Sequence, residues 1–322
     1  MSSILCSIST RGRYHTTLPV VLEAIINQTK KPDKLIIFDD NDQTEDMREV
    51  LFYKYYFQRL DIKGIKWEWQ FAAKKGQHHN HQIANMMGYD FVWRVDDDAI
   101  PEPNVLETLL SYMNDNVGAV GGEILTPPHN PMTMLSTGKI EDIDKEPNIQ
   151  WTTIKDVKEV EHLHCSFLYR AGIHDYNLGL SRVAHREETL FTYGLFRKGY
   201  KLLVVPNATI WHLKNPDGGI RAESNTQLYE HDEMIFRNIL NYKDKKIVVL
   251  EGGMGDHIVF SHVIPDITNA EVFTCFPDIV PGRSISEAKS LFGDISQYNI
   301  YKKMCDWKWT DSLENAYIKL YI

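Results

Sequence analysis

The chain has 322 residues, 43% hydrophobic and 25% charged, with a formal net charge of −9. That length exceeds the ~100–200 residues of one ordinary domain, so a large domain with an appendage, or two domains, is expected. The acidic balance disfavours a general nucleic-acid binder, no apolar run approaches the ~18 residues of a membrane span, and the N-terminus lacks the apolar core of a signal peptide; a cytoplasmic protein is expected.

Short apolar runs alternate with amphipathic stretches through the first half. Strands are expected at 3–9, 34–40, 65–71, 89–98 and 117–125, and helices at 15–28, 43–60, 77–87 and 101–113. Strand alternating with helix implies an α/β fold with a mostly parallel sheet covered on both faces. In such sheets ligands bind beyond the carboxyl ends of the strands, which directs attention to "SISTRGR", "FDDND" and "VDDDA". From 126 to 160 the pattern dissolves into a long excursion rich in Pro, Asn and Thr, read as an acceptor-side loop or lid. Order resumes with a strand at 162–170, a helix at 187–198, strands at 201–206 and 208–213, and a helix at 226–242. The cluster "NYKDKK" marks a boundary, giving domains 1–242 and 243–322. Cys6, Cys165, Cys275 and Cys305 share no CxxC spacing and read as buried free thiols.

Asp96, Asp97 and Asp98 follow the apolar run "FVWRV" directly. On a continuing strand, Asp96 and Asp98 point one way and Asp97 the other. Two carboxylates on one side of a strand end form a half-shell for a hard divalent cation. The alternative is a turn or helix cap, but Pro101 in a first helical turn would put the cap near residue 100. His78, His79 and His81 do not share one helical face, so they read as a polar helix start rather than a zinc site.

The segment "FVWRVDDDAIPEPNVLETLLSYM" resembles the DxD region of the family 2 glycosyltransferases, which carry the nucleotide-sugar domain called GT-A. The resemblance covers most of residues 3–213. It implies nucleotide contacts from Thr10, Arg11 and Arg13 after the first strand and from Asp39 and Asp40, unranked, after the second; Asp42 reads as a helix cap. "KKGQHHNHQIANMMG" resembles the family's Gly-rich stretch under the nucleotide, with Gly76 and Asn80 matching best and the family's arginine missing. By the same resemblance Asp96 lies near the ribose and the metal, Asp98 is a direct ligand of Mn2+ or Mg2+, and His212 in "VVPNATIWHL" completes the shell. The family's base, in a Glu-Asp pair with Gly-Tyr eleven residues after the Asp, corresponds to Glu187 and Glu188 in "EETLFTYGLFRKGY". Glu188 replaces the aspartate, and Gly194 stands where arginine is usual. His164 and Ser166 are candidate acceptor contacts.

"KKIVVLEGGMGDHIVF" resembles the opening of heptosyltransferase-like domains, with Gly253, Gly255 and Asp256 in the turn. Residues 243–322 are too short for that whole fold and read as a Rossmann-like accessory half-domain for packing, homo-oligomer formation or acceptor docking. The resemblance thus implies a metal-dependent, inverting glycosyltransferase with Glu188 as base, acting on a nucleotide-diphosphate sugar and a glycan or other hydroxyl acceptor. A catalytically degenerate nucleotide-sugar-binding or scaffolding protein is the alternative. A nucleic-acid acceptor, a hydroxylated DNA base, is permitted but disfavoured by the charge.

Overall fold

The computed structural model describes residues 2–127, 137–144, 154–214, 217–251, 257 and 269–298. The chain divides into two compact units, one of Met1–Asn177 with Ser181–Tyr229 and one of Leu178–Leu180 with Glu230–Ile322. Among the described residues no helix is long and apolar enough to cross a membrane.

The first unit is built on a nine-stranded sheet. Its strands are β1 (Ile4–Thr10), β2 (Lys34–Asp39), β3 (Lys66–Phe71), β4 (Phe91–Arg94), β5 (Ala99–Pro101), β6 (Val117–Leu125), β7 (Lys158–Val160), β8 (Phe167–Arg170) and β9 (Lys201–His212). They run in the order β3-β2-β1-β4-β8-β6-β9-β5, with β7 also paired to β9. The β3-β2-β1-β4 half is parallel, and β6 and β9 are parallel too. β8 is antiparallel to both β4 and β6. β1, with every residue of Ile4–Thr10 buried, has β2 on one side and β4 on the other. The chain order reverses across β1, and such a switch point opens a crevice at the carboxyl ends of the strands.

The α/β expectation holds, with α1 (Leu18–Ile26), α2 (Leu51–Ile62), α3 (Gln77–Asn85), α4 (Val105–Ser111) and α5 (Glu187–Arg197) between the strands. Two differences bear on the site. The strand expected over 89–98 stops at Arg94, and the aspartates form a turn closed by the Ala99 amide donating to the Asp96 carbonyl at 3.0 Å. Pro101 belongs to β5 rather than to a helix, and α4 begins at Val105. β5 is the last strand of the sheet, where a residue without an amide proton costs no ladder bond. Separately, the two strands expected at 201–213 are one, β9; Asn207 takes a positive φ of 63° inside it, and β6 shifts register opposite at Gly121/Glu123.

Buried hydrogen bonds fix α3 under β1: the His81 Nδ1 lies 3.0 Å from the Ser7 hydroxyl, and Asn80 donates to the Ser9 hydroxyl at 2.9 Å. The polar helix start is therefore a set of buried packing contacts. Of the cysteines, Cys6 and Cys165 are free and buried, whereas Cys275 is free and exposed, against expectation, because it lies just past the end of its strand. The second unit begins at Glu230 within α6 (Thr226–Asn241), and in it β10 (Lys246–Leu250) pairs in parallel with β11 (Ala270–Thr274), which pairs with β12 (Arg283–Ser284). Gly253, Gly255 and Asp256 lie outside the described residues.

Gly194 on α5 explains its own departure from the family pattern. A Cβ there would stand 1.9 Å from the His174 ring, which is buried against this helix. Burial also pushes His174 down to about 3, so it is a neutral packing group. Gly194→Ala is expected to cost about 1–3 kcal/mol through overpacking. On a His174→Ala background the same change should stabilise by about 0.5–1 kcal/mol, the helix preference for alanine. Urea unfolding of the four proteins checks this, and equal effects on both backgrounds would refute the contact.

Candidate active site

A cavity of about 460 Å³ opens at the carboxyl ends of β1, β2 and β4 and is closed on its far side by the start of α5 and the end of β9. Its lining includes Arg11, Arg13, Asp40, Asp96, Asp97, Asp98, Glu188 and His212. Thr10, Asp39, Gly76, Asn80 and Glu187 do not line it.

The carboxylates are held by two buried arginines. Arg94, fully buried at the end of β4, donates to Asp96 at 2.8 Å and pairs with Glu187 at 2.6 Å, while its guanidinium lies 5.5 Å from the centre of the Phe167 ring. Burial opposes its charge, but Glu187, Asp96 and Glu188 outweigh that and hold it firmly protonated. Arg13 pairs with Asp97 and, at 3.0 Å, with Asp98. Burial pushes Asp96 and Asp97 above the ordinary carboxylate range, against the pull of Arg94 and Arg13 respectively. Asp97 does not face away as strand alternation implied. Because β4 ends at Arg94, the period of two never reaches the triplet, and Asp97 shares the cavity and accepts from the Arg11 amide at 3.2 Å.

The two acidic pairs left open by the sequence separate clearly. Asp39 is buried behind the cavity and accepts from Tyr14 at 2.5 Å and from the Asn41 side chain at 2.8 Å, a bracket between two loops. Asp40 lines the cavity, its carboxyl raised by burial against the neighbouring Asn80, Arg11, Arg182 and the Gly76 amide. Gly76 opens α3 at a φ of 101°, and a Cβ there would come within 2.7 Å of the Arg182 carbonyl, so its role is to admit that backbone. Glu187 and Glu188 are adjacent in the first turn of α5, where a negative charge is favoured. Glu187 points inward to Arg94 and Gln77. Glu188 lines the cavity, its side chain 23% exposed and 4.0 Å from Arg94.

His212, the last residue of β9, pairs with Ala99 in the ladder. That register places its Nε2 3.4 Å from the Asp98 carboxylate. One donor atom each from Asp96, Cys165 and His212 lie within 4.8 Å of one another. His164 lines the cavity and burial keeps it neutral, whereas Ser166 is buried outside the lining. Asp42 is not a helix cap, since no helix starts beside it. It bridges Arg11 at 2.9 Å and Arg182 at 2.5 Å, which lower its carboxyl to about 2, and Glu223 approaches the same two arginines at 3.7 and 3.8 Å.

Sequence reading missed Arg94, Arg182 and Cys165. Arg94 had a signal, a lone charge within the apolar run "FVWRV" that must be paired if buried. Arg182 and Cys165 had none, because their roles depend on which loops the sheet brings together.

A mixed α/β sheet with acidic strand ends around one polar cavity is the build of a nucleotide-sugar transferase domain. Residues 8–177, just over half of the chain, match the model of glycosyl transferase family 2, and the chain belongs to that family. It is 32% identical over 116 residues to galactofuranosyltransferase GlfT1 of Mycolicibacterium smegmatis, an alignment covering 34% of this chain and 35% of that protein. In fold it is similar to S. aureus TarS, with TM-score 0.51 and 11% identity over 81% of this chain and 43% of that one. It is likewise similar to GalNAc-T7, solved with UDP, GalNAc and Mn2+, with TM-score 0.51 and 13% identity over 75% of this chain and 50% of that one. The chain thus spans between about a third and a half of the length of these relatives.

Arg94→Met would leave Glu187 and Asp96 without their buried counter-charge, at an expected cost of about 3–5 kcal/mol in urea unfolding. Glu187→Gln added to that variant should recover part of the loss. No recovery would mean that Arg94 acts through packing alone.

Proposed function

We propose that the protein transfers a sugar from a nucleotide-diphosphate sugar to a hydroxyl acceptor with inversion at the anomeric carbon, Glu188 acting as base. One observation carries this reading: the carboxylates of the strand-end triplet, His212 and Glu188 converge on one cavity although they come from three separate parts of the chain. Arg11 and Arg182, also on that cavity, supply positive charge suited to phosphate oxygens. Asp40 is the candidate partner for the base or ribose.

The donor set of carboxylate oxygens and a histidine nitrogen fits a divalent cation, Mn2+ or Mg2+, with Asp96, Asp98 and His212 as its holders. When bound, such a cation neutralises charge on the leaving diphosphate. Glu188 removes the proton of the acceptor hydroxyl as that oxygen bonds to the anomeric carbon, and the carbon–oxygen bond to the diphosphate breaks on the opposite face. Glu187, tied to Arg94, keeps the first turn of α5 in place and so positions Glu188. The accessory half-domain is proposed for packing, acceptor docking or self-association.

Thermal shift against a panel of nucleotide sugars, a galactofuranose donor included, with and without Mn2+, should identify a donor by its stabilisation. With that donor, Glu188→Gln should retain binding and lose transfer by on the order of 100- to 10,000-fold. Asp98→Asn should lose cation-dependent binding and transfer while still unfolding cooperatively, at a lower urea midpoint because Asp98 also pairs with buried Arg13. Full transfer by Glu188→Gln would overturn the assignment of the base. Donor binding by the unaltered protein with no turnover on any acceptor would favour the degenerate binding protein instead.

A further inference from the structure

We infer that Cys165 is a ligand of the cation, beside Asp96 and His212, and that its sulfur biases the site toward thiophilic transition ions over Mg2+. The inference rests on the reading of a divalent-cation site given above, and it adds a ligand that the DxD pattern does not contain.

Geometry carries it. The Asp96 oxygen, Cys165 sulfur and His212 nitrogen lie within 4.8 Å of one another, and among the described residues no other group of three such donors is gathered this closely. Donors about 2.0–2.3 Å from one ion in a tetrahedral shell stand about 3.3–3.8 Å apart, so closing up by at most about 1–1.5 Å through side-chain rotation seats all three. Both carboxylates already hold an arginine, Asp96 with Arg94 at 2.8 Å and Asp98 with Arg13 at 3.0 Å; Asp96 is the one whose oxygen is gathered with the sulfur and the imidazole.

The backbone at Cys165 is unusual for a packing residue. Its φ is 66°, and the Ser166 amide donates to the His164 carbonyl at 2.9 Å. A three-residue turn with positive φ at its centre is rare and strained. An apolar filler needs no such turn. This one places the sulfur of a residue 1% exposed beside the carboxylate and the imidazole.

The chemistry is ligand exchange without change of oxidation state. The S–H bond breaks, the proton goes to solvent, and a sulfur electron pair binds the ion. All-oxygen shells suit Mg2+ and Mn2+, whereas thiolate selects softer ions.

The test uses the full chain with Cys275→Ser and Cys305→Ser, titrated with Cd2+ while the ultraviolet thiolate-to-cadmium absorption is recorded. The expected result is a band that saturates at one equivalent and is lost in Cys165→Ser, with Zn2+ affinity falling by about 10- to 100-fold or more and Mg2+ affinity unchanged. Cadmium NMR on the chain with Cys165 intact reads sulfur coordination directly, so the outcome does not depend on a variant folding. No band, a band that persists in Cys165→Ser, or a cadmium resonance free of sulfur coordination would overturn the inference. If Mn2+ still stabilises the protein in that case, the cation site stands and only the Cys165 assignment falls. If neither Mn2+ nor Cd2+ binds, both fall.

Discussion

Two buried guanidinium groups make the site possible. Asp97, Asp98 and Glu187 are each no more than 3% exposed, and Asp96 stands beside them. Carboxylates so close together and so poorly hydrated would repel one another or take up protons. Arg94 answers Asp96 and Glu187, and Arg13 answers Asp97 and Asp98. Each arginine arises from a different strand end and fixes a different neighbour. Through Arg94 the end of β4 is tied to the start of α5. Through Arg13 the loop after β1 is tied to the turn between β4 and β5. The separation of Glu187 from Glu188 follows: one is held in an ion pair, and its neighbour is left to the cavity.

The sheet supplies the precision that these pairs need. β1 lies between β2 and β4, so Thr10 and Asp39 end their strands at one level, while β4 stops at Arg94, level with Ser7, and leaves room for the triplet turn beside the end of β1. β9 runs twelve residues and delivers His212 beside Ala99, directly across from the triplet turn. Because register is set by apolar packing along strands buried almost end to end, a charged group at the strand end inherits a position fixed within the core.

Much of this was legible in the sequence and some was not, for physical reasons. Apolar runs such as "SILCSIS" and "KLIIFDD" mark strands because burial on both faces leaves few polar positions. The acidic strand ends stood out because clustered like charges have no structural use without a counter-ion. Strand length was less legible: "YDFVWRVDDD" continues in pattern past Arg94, but a turn begins once three aspartates must face two arginines and a cavity. Pro101 read as a helix start because its fixed φ suits either a first turn or an edge strand, and only the sheet decides between them. Asp39 and Asp40 could not be ranked, since the choice depends on Tyr14 and Asn41 reaching the first of them. Cys165 looked like core because it sits in a stretch with Leu163, Phe167 and Leu168, and nothing local reveals the turn that aims it.

Gly218 and Gly219 lie against Arg13. A Cβ at the first would meet the Arg13 side chain at 2.8 Å, and at the second the guanidinium at 2.9 Å. The Gly219 amide also donates to the Arg11 carbonyl at 2.7 Å, and Arg13 donates to the Asp217 carbonyl at 3.3 Å. The missing side chains let one arginine serve two elements at once, pairing with Asp97 and Asp98 on one side and anchoring the Asp217–Gly219 turn on the other. A bulkier residue at either glycine would push the Arg13 side chain aside, and with it the pairing that holds Asp97 and Asp98 in the cavity.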